Sequence, residues 1–127
     1  MEAATVPQGE LTIRIVAMPA DTNAHGDIFG GWLVSIMDLA GGCESKRHAQ
    51  CRTVTIAIDK LTFLKPVAVG DIVGCYTELL KKGRTSMQFQ IEAWKQNLNQ
   101  LQHVKVAEGL FTFVAIDDHG KSQPVDR

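Results

Sequence analysis

The sequence predicts an α+β fold built from one strand, one long helix and about four further strands. Three observations point there. A helical repeat of apolar residues occurs in one stretch only, every later apolar stretch alternates with period two, and no linker, internal repeat or low-complexity run divides the chain. At 127 residues, 45% hydrophobic and 21% charged, it reads as one domain over residues 1–127, with a core over 8–118 and a loose tail over 119–127. A chain of this size buries about two-thirds of its unfolded surface. That suffices for a core without disulfide or metal staples and excludes a disordered chain.

The elements follow in order. Leu11, Ile13 and Ile15 alternate with Thr12 and Arg14, giving a first strand over 11–18 that ends at Pro19 and the polar run Asp21-Thr22-Asn23. Between Gly30-Gly31 and Lys46-Arg47-His48 lies the helix: Trp32, Ile36 and Ala40 repeat at i, i+4, i+8, with Leu33 and Met37 beside them. Its basic end suits a helix C-terminus. Strands are then expected over 54–58, over 61–64 up to Pro66, and over 71–80 after Gly70. Met87, Phe89, Ile91 and Ala93 alternate against Gln88, Gln90 and Glu92, a turn falls on Asn97-Leu98-Asn99-Gln100, and a long strand covers 103–116. A single helix covers only part of such a sheet. The remaining apolar surface and strand edges call for further copies, so a homo-oligomer is expected.

Composition narrows the function classes. Thirteen Lys plus Arg against fourteen Asp plus Glu leave a net charge of −1, so nothing global draws the chain to nucleic acid or to an anionic membrane, and any phosphate contact must be local. The richest apolar run, 33–42, contains Asp38 and falls short of the roughly 18 residues of a membrane span. Cys43, Cys51 and Cys75 form an odd set without a close pair, and no apolar segment follows the opening residues, so a cytoplasmic location is expected. Each cysteine is read as a small hydrophobe in or near a packed layer.

Asp38 is the most unusual residue, an acid within an otherwise apolar helical stretch. On a helical wheel Gly31, Ser35, Asp38, Gly42 and Ser45 form one stripe, with Gly41 next to it, so the carboxylate has only small neighbours. Glycine inside a helix costs about 1 kcal/mol against alanine. Something must therefore approach the backbone there, either a packed strand or a substrate. Upstream, the loop from Asp21 to Phe29 is rich in short polar side chains and delivers Gly30 and Gly31 into the helix start, where free N–H groups bind anions and developing oxyanions. The plainer reading is that one of these residues, such as Asp27, caps the helix while the others make turns.

These residues carry a family resemblance. Pro19-x-Asp21-Thr22-Asn23-x-x-Gly26-Asp27-Ile28-Phe29-Gly30-Gly31-Trp32, followed by Met37-Asp38-x-Ala40-Gly41, closely resembles the YciA-like acyl-CoA thioesterases of the hotdog fold. The likeness continues through Val54-Thr55, Phe63, Lys65-Pro66, Val69-Gly70-Asp71, Gly83-Arg84-Thr85-Ser86 and Phe111-Thr112-Phe113-Val114-Ala115. It implies one long central helix wrapped by an antiparallel sheet of five or six strands, dimerising through a continuous sheet, with active sites shared at the dimer interface and a trimer of dimers as the full assembly. It also implies hydrolysis of acyl-CoA to free acid and coenzyme A. By the family motif Asp38 is general base or nucleophile, Asn23 of the partner protomer orients water or carbonyl, and Gly30 and Gly31 lie near the thioester carbonyl. Arg84, Thr85 and Ser86 match the segment near the nucleotide, and Lys65 joins them as a candidate coenzyme A contact.

The residue types suit that chemistry. A carboxylate activates water or attacks directly, and a helix N-terminus stabilises the oxyanion. A thiolate of pKa about 8.5 leaves without a strong general acid, so no catalytic histidine, cofactor or metal is expected, coenzyme A being part of the substrate. By the family resemblance His25 falls at a position that the motif leaves variable, and His48, His103 and His119 show no metal spacing. Gly120-Lys121-Ser122 resembles the end of a P-loop but has Ala115 where the first glycine belongs. Lys81, Lys82 and Arg84 form the best local phosphate site. Two alternatives remain. An enoyl-CoA hydratase of the same fold would carry Asp-x-Asn-Pro-x-His, whereas Asp21-Thr22-Asn23-Ala24-His25 lacks the proline and puts the histidine one residue early. A non-catalytic acyl-CoA binding protein is opposed by the presence of both Asn23 and Asp38.

Overall fold

The structure, a computed structural model, describes residues 6–97, 99 and 102–127. The periodic apolar residues do form one helix, α1 (Gly30–Ala49), whose inner face buries Trp32, Leu33, Ile36, Met37, Ala40 and Gly41. Its last turn carries Lys46, Arg47 and His48, and Gln50 closes it in the left-handed conformation at φ 56°. The strands are β1 (Glu10–Val16), β2 (Arg52–Phe63), β3 (Ile72–Lys82), β4 (Ser86–Gln96) and β5 (Val104–Ile116), joined antiparallel in the order β1-β3-β4-β5-β2. The alternation expected in β4 holds: Met87, Phe89, Ile91 and Ala93 are fully buried and meet α1 with Phe111, Phe113 and Ala115 of β5.

Three expectations need correction. The stretches 54–58 and 61–64 are one strand, β2, because the chain bulges rather than turns: the pairing with β5 slips between Asp59 and Thr62, and Lys60 adopts φ 54°. The tail over 119–127 is not loose. Gln123 N–H donates to Ala115 C=O at 2.9 Å, Val125 N–H donates to Arg84 C=O at 2.8 Å, and the Val125 side chain is only 3% exposed. Cys75 is buried as a small hydrophobe, but Cys43 lies exposed on α1. The expected turn at 97–100 falls mostly on residues 98 and 100, outside the described set.

The close approach demanded by the helix glycines is made by the sheet at one of them. A Cβ on Gly41 would lie 2.5 Å from the Phe113 ring and 2.7 Å from Ile91, whereas one on Gly42 would meet nothing within 4 Å. Phe113 is buried and packed edge-on against Phe89. Gly41→Val is therefore expected to overpack the core by about 1–3 kcal/mol, read as a lowered Tm in thermal unfolding. An unchanged Tm would mean that α1 can lift from the sheet without loss.

Both sheet edges carry exposed apolar side chains, Leu11, Ile15 and Val16 on β1 and Val54, Ile56 and Ile58 on β2, with Ile56 59% exposed. A long apolar edge strand such as β2 is a template for pairing with another chain.

Candidate active site

The loop before α1 is built by Asn23. Its Oδ1 accepts the backbone N–H groups of His25 at 2.9 Å and Asp27 at 3.2 Å, while its own N–H donates to Asp27 C=O at 2.7 Å. That is an Asx-type turn. With Oδ1 engaged, Nδ2 of this exposed residue is left as a donor without an acceptor among the described residues. Asp21 closes the preceding turn, accepting Met18 N–H at 3.0 Å. Asp27 does not cap the helix. The N-cap is Phe29, with no side-chain bond, and the first turn holds no acid, so the Gly30 and Gly31 N–H groups have no acceptor among the described residues. The helix thus opens as an uncompensated positive end. Its two glycines are explained by rings: a Cβ on Gly30 would lie 3.0 Å from Phe63, and one on Gly31 3.1 Å from Phe29.

Asp38 is half-buried on the flank of α1 that faces β2, and its Oδ1 accepts the Thr55 hydroxyl at 2.6 Å. About two turns further along α1 the Ser45 hydroxyl meets that of Thr53 at 2.7 Å. Together with the Gly30–Phe63 approach, these contacts lay β2 antiparallel along α1, Phe63 at the helix start and Thr53 towards its end. Asp38 Oδ2 is left without a hydrogen-bond partner among the described residues. Thr55 is the site residue that sequence reasoning missed. The residue stood in an expected strand, but nothing local announces which helical side chain it will meet.

Arg84 sits at the exposed tip of the β3–β4 hairpin, where Gly83 N–H donates to Ser86 C=O at 2.8 Å and Ala115 N–H to Thr85 C=O at 2.9 Å. Across the sheet Thr55 pairs with Phe113 and Phe113 with Met87, so the hairpin adjoins the row that holds Asp38. Lys65 does not join it. Its N–H reaches Val106 C=O, whereas Ser86 pairs with Val114. Eight residues along β5 separate the two by about 26 Å, so within one protomer Lys65 belongs with Gly30 and Phe63 and Arg84 with Asp38.

Other features lie apart. A cavity of about 260 Å³ lined by Glu10, Glu44, His48, Thr77 and Phe89 shares no residue with the loop, the helix start or Asp38. The groups with perturbed acidity are remote too. Burial pushes the Cys75 thiol up to about 12, keeping it inert at neutral pH. Burial would lower the Lys105 pKa, but hydrogen bonds and charge from Glu108 and Glu92 outweigh it and hold the ammonium above its ordinary value. Among the described residues no three His, Cys, Asp or Glu side chains gather as metal ligands do.

The sequence profile of the Thioesterase superfamily matches residues 25–101. The acyl-CoA thioester hydrolase YciA of Salmonella typhimurium is 50% identical over 122 residues, covering 94% of this chain and 92% of that protein. Among solved structures, a hexameric thioesterase from Yersinia pestis superposes with a TM-score of 0.92 at 50% identity, over 96% of this chain and 99% of that one. A hexameric hotdog fold thioesterase of Campylobacter jejuni superposes with a TM-score of 0.85 at 39% identity, over 91% of this chain and 90% of that one.

Proposed function

This chain belongs to the thioesterase superfamily as a hotdog-fold acyl-CoA thioester hydrolase, and we propose that its active site joins Asp38 of one protomer to Asn23 and the helix start of another. The observation that carries this reading is a spacing. Gly31 and Asp38 are seven residues apart on α1, which is about 10 Å of helix rise. A thioester carbonyl accepting the Gly31 N–H is then too far from Asp38 of the same chain, since both must stand about 3 Å from the reacting group. A twofold pairing through β2 supplies the missing half, because it sets the Thr55 end of one strand against the Phe63 end of the other.

In this site Asp38 acts through Oδ2, either taking a proton from the attacking water or attacking the carbonyl itself, while Thr55 holds Oδ1. The Gly30 and Gly31 N–H groups receive the oxyanion. Asn23 has only Nδ2 to offer, so it donates to the carbonyl or to the water oxygen. The coenzyme A thiolate leaves unaided, and the chemistry draws on no cofactor. We place the assembly as a hexamer of three such dimers, as the hexameric relatives suggest. It works in the cytoplasm, a location that its three free cysteines support. The deciding assay is free thiol release from a panel of acyl-CoA thioesters, followed beside enoyl absorbance. Thiol release is expected; loss of enoyl absorbance without thiol would make the protein a hydratase, and silence in both a binding protein.

Arg84, with Thr85 and Ser86 beside it, meets the nucleotide phosphates in this reading. That Arg84 is exposed, on a hairpin whose strand adjoins the row of Thr55, is the supporting feature. Arg84→Ala is expected to raise KM for acyl-CoA with kcat nearly preserved. The defect should shrink at high salt, as an exposed charge is screened within about 8–10 Å. An acyl-pantetheine thioester, lacking the nucleotide, should be turned over equally by parent and variant. Equal harm to both substrates would move Arg84 out of the coenzyme A site.

A further inference from the structure

We propose that residues 123–127 form a strap that positions Arg84 for the nucleotide of coenzyme A by tying the β3–β4 hairpin to the C-terminal end of α1; this rests on the reading of Arg84 above. The strap touches three things. First, Val125 donates its N–H to the carbonyl of Arg84 itself at 2.8 Å, fixing the peptide from which the guanidinium hangs. Second, the Val125 side chain is buried in the core with Phe89, Phe113 and Ala115, so that bond is anchored rather than fraying. Third, the Arg127 guanidinium donates to the carbonyls of Ala49 at 2.7 Å and Gln50 at 3.3 Å, which a helix end leaves without intrahelical donors, and to Pro124 C=O at 2.8 Å. The Lys82–Asp126 pair at 3.1 Å adds a side-chain link to the hairpin; being exposed, it contributes little alone.

The consequence follows from the mobility of an unsupported hairpin tip. Gly83 and Arg84 are exposed; Gly83 N–H is tied to Ser86 C=O and Thr85 C=O to Ala115 N–H, so among the described residues the Arg84 carbonyl is held by Val125 alone. Without the strap, Arg84 samples orientations that miss a phosphate, and the cost appears in binding. Asp38 and Thr55 sit on α1 and β2, held by the core, so the chemical step is untouched. Val125 and Arg127 are positioning residues and reach no substrate atom.

The test is a double-mutant cycle. Arg127→Gln and Val125→Asp, each alone, are expected to raise KM for acyl-CoA roughly three- to thirtyfold, the span of positional couplings, with kcat unchanged and acyl-pantetheine turnover unchanged. In an Arg84→Ala background the same substitutions should add nothing, because the side chain they position is gone. Arg127→Gln, whose loss leaves the core intact, keeps the test valid if Val125→Asp fails to fold, and thermal melts identify that case. Parental KM in a folded Arg127→Gln, or effects that add fully to Arg84→Ala, would overturn the strap's role. If Arg84→Ala itself leaves KM unchanged, the coenzyme A assignment falls instead. A KM defect in Arg127→Gln would then show that the strap acts through another group, which also overturns the proposal.

Discussion

Asp38→Asn is expected to lower kcat about a hundredfold or more, the scale on which loss of a general base is felt, with KM little changed. Asparagine keeps the size of the side chain and an oxygen for the Thr55 hydroxyl, which approaches Oδ1 at 2.6 Å. It removes the charge and the Oδ2 acceptor, the atom left unpaired among the described residues. The fold should be indifferent to this exchange, because the core side of α1 is carried by Trp32, Leu33, Ile36, Met37 and Ala40 rather than by the flank on which Asp38 lies. The measurement is steady-state kinetics beside thermal melting. A variant that melts like the parent and turns over at a near-parental rate would make Asp38 structural, a partner for Thr55 and nothing more. Thr55→Val should show a smaller loss in kcat in the same direction, since the carboxylate keeps its charge but loses its orientation. A single turnover of the parent in isotopically labelled water then separates the two routes. Direct attack by Asp38 expels the thiolate and forms a mixed anhydride, and water opening it at the Asp38 carboxyl carbon leaves an unlabelled Asp38 oxygen in the acid product, which a general base never delivers.

The sequence carried α1 and Asp38 clearly. Trp32, Ile36 and Ala40 have no competing period, and an acid among them is conspicuous. What it could not carry was anything decided by contact between distant segments. Gly41 and Gly42 are equivalent in sequence, yet one is pressed against Phe113 and the other opens onto free space. The break expected between residues 58 and 61 reads as a turn, because a bulge at Lys60 interrupts the alternation just as a turn does. The tail holds only Val125 as an apolar residue, and backbone bonds to Ala115 and Arg84 leave no mark on composition. The candidate capping role of Asp27 failed for a related reason. Asn23 gathers the N–H groups of His25 and Asp27 into its own turn, so the chain reaches Phe29 with no polar side chain aimed at the helix start. The family resemblance supplied the pairing of Asn23 with Asp38 across protomers. The geometry now gives a reason for it, in the length of helix between Gly31 and Asp38.

Mixing two inactive variants is expected to restore activity. Asn23→Ala and Asp38→Asn each spoil both sites of a homodimer, but a dimer with one copy of each pairs an intact Asn23 with an intact Asp38 at one of its two sites. Random exchange makes about half of the dimers mixed, so recovery should approach about a quarter of the parental rate per protomer, as an isologous twofold interface requires. If both residues served a site within one chain, mixing would recover nothing. The same interface gives a second handle. The outer edge of β2 exposes Val54, Ile56 and Ile58, and Ile56, at 59% exposure, stands in the middle of it. A lysine there is the kind of charge by which edge strands avoid pairing. Ile56→Lys should therefore sediment as a monomer and lose about a hundredfold or more of kcat/KM, comparable to removing the base outright, because each protomer then keeps Asp38 but loses the partner's helix start. Its far-UV circular dichroism should match the parent, since the side chain touches nothing essential to the protomer's own core. A monodisperse monomer with full activity would place the whole site within one chain, and the spacing between Gly31 and Asp38 would then have to be bridged by a substrate lying along α1.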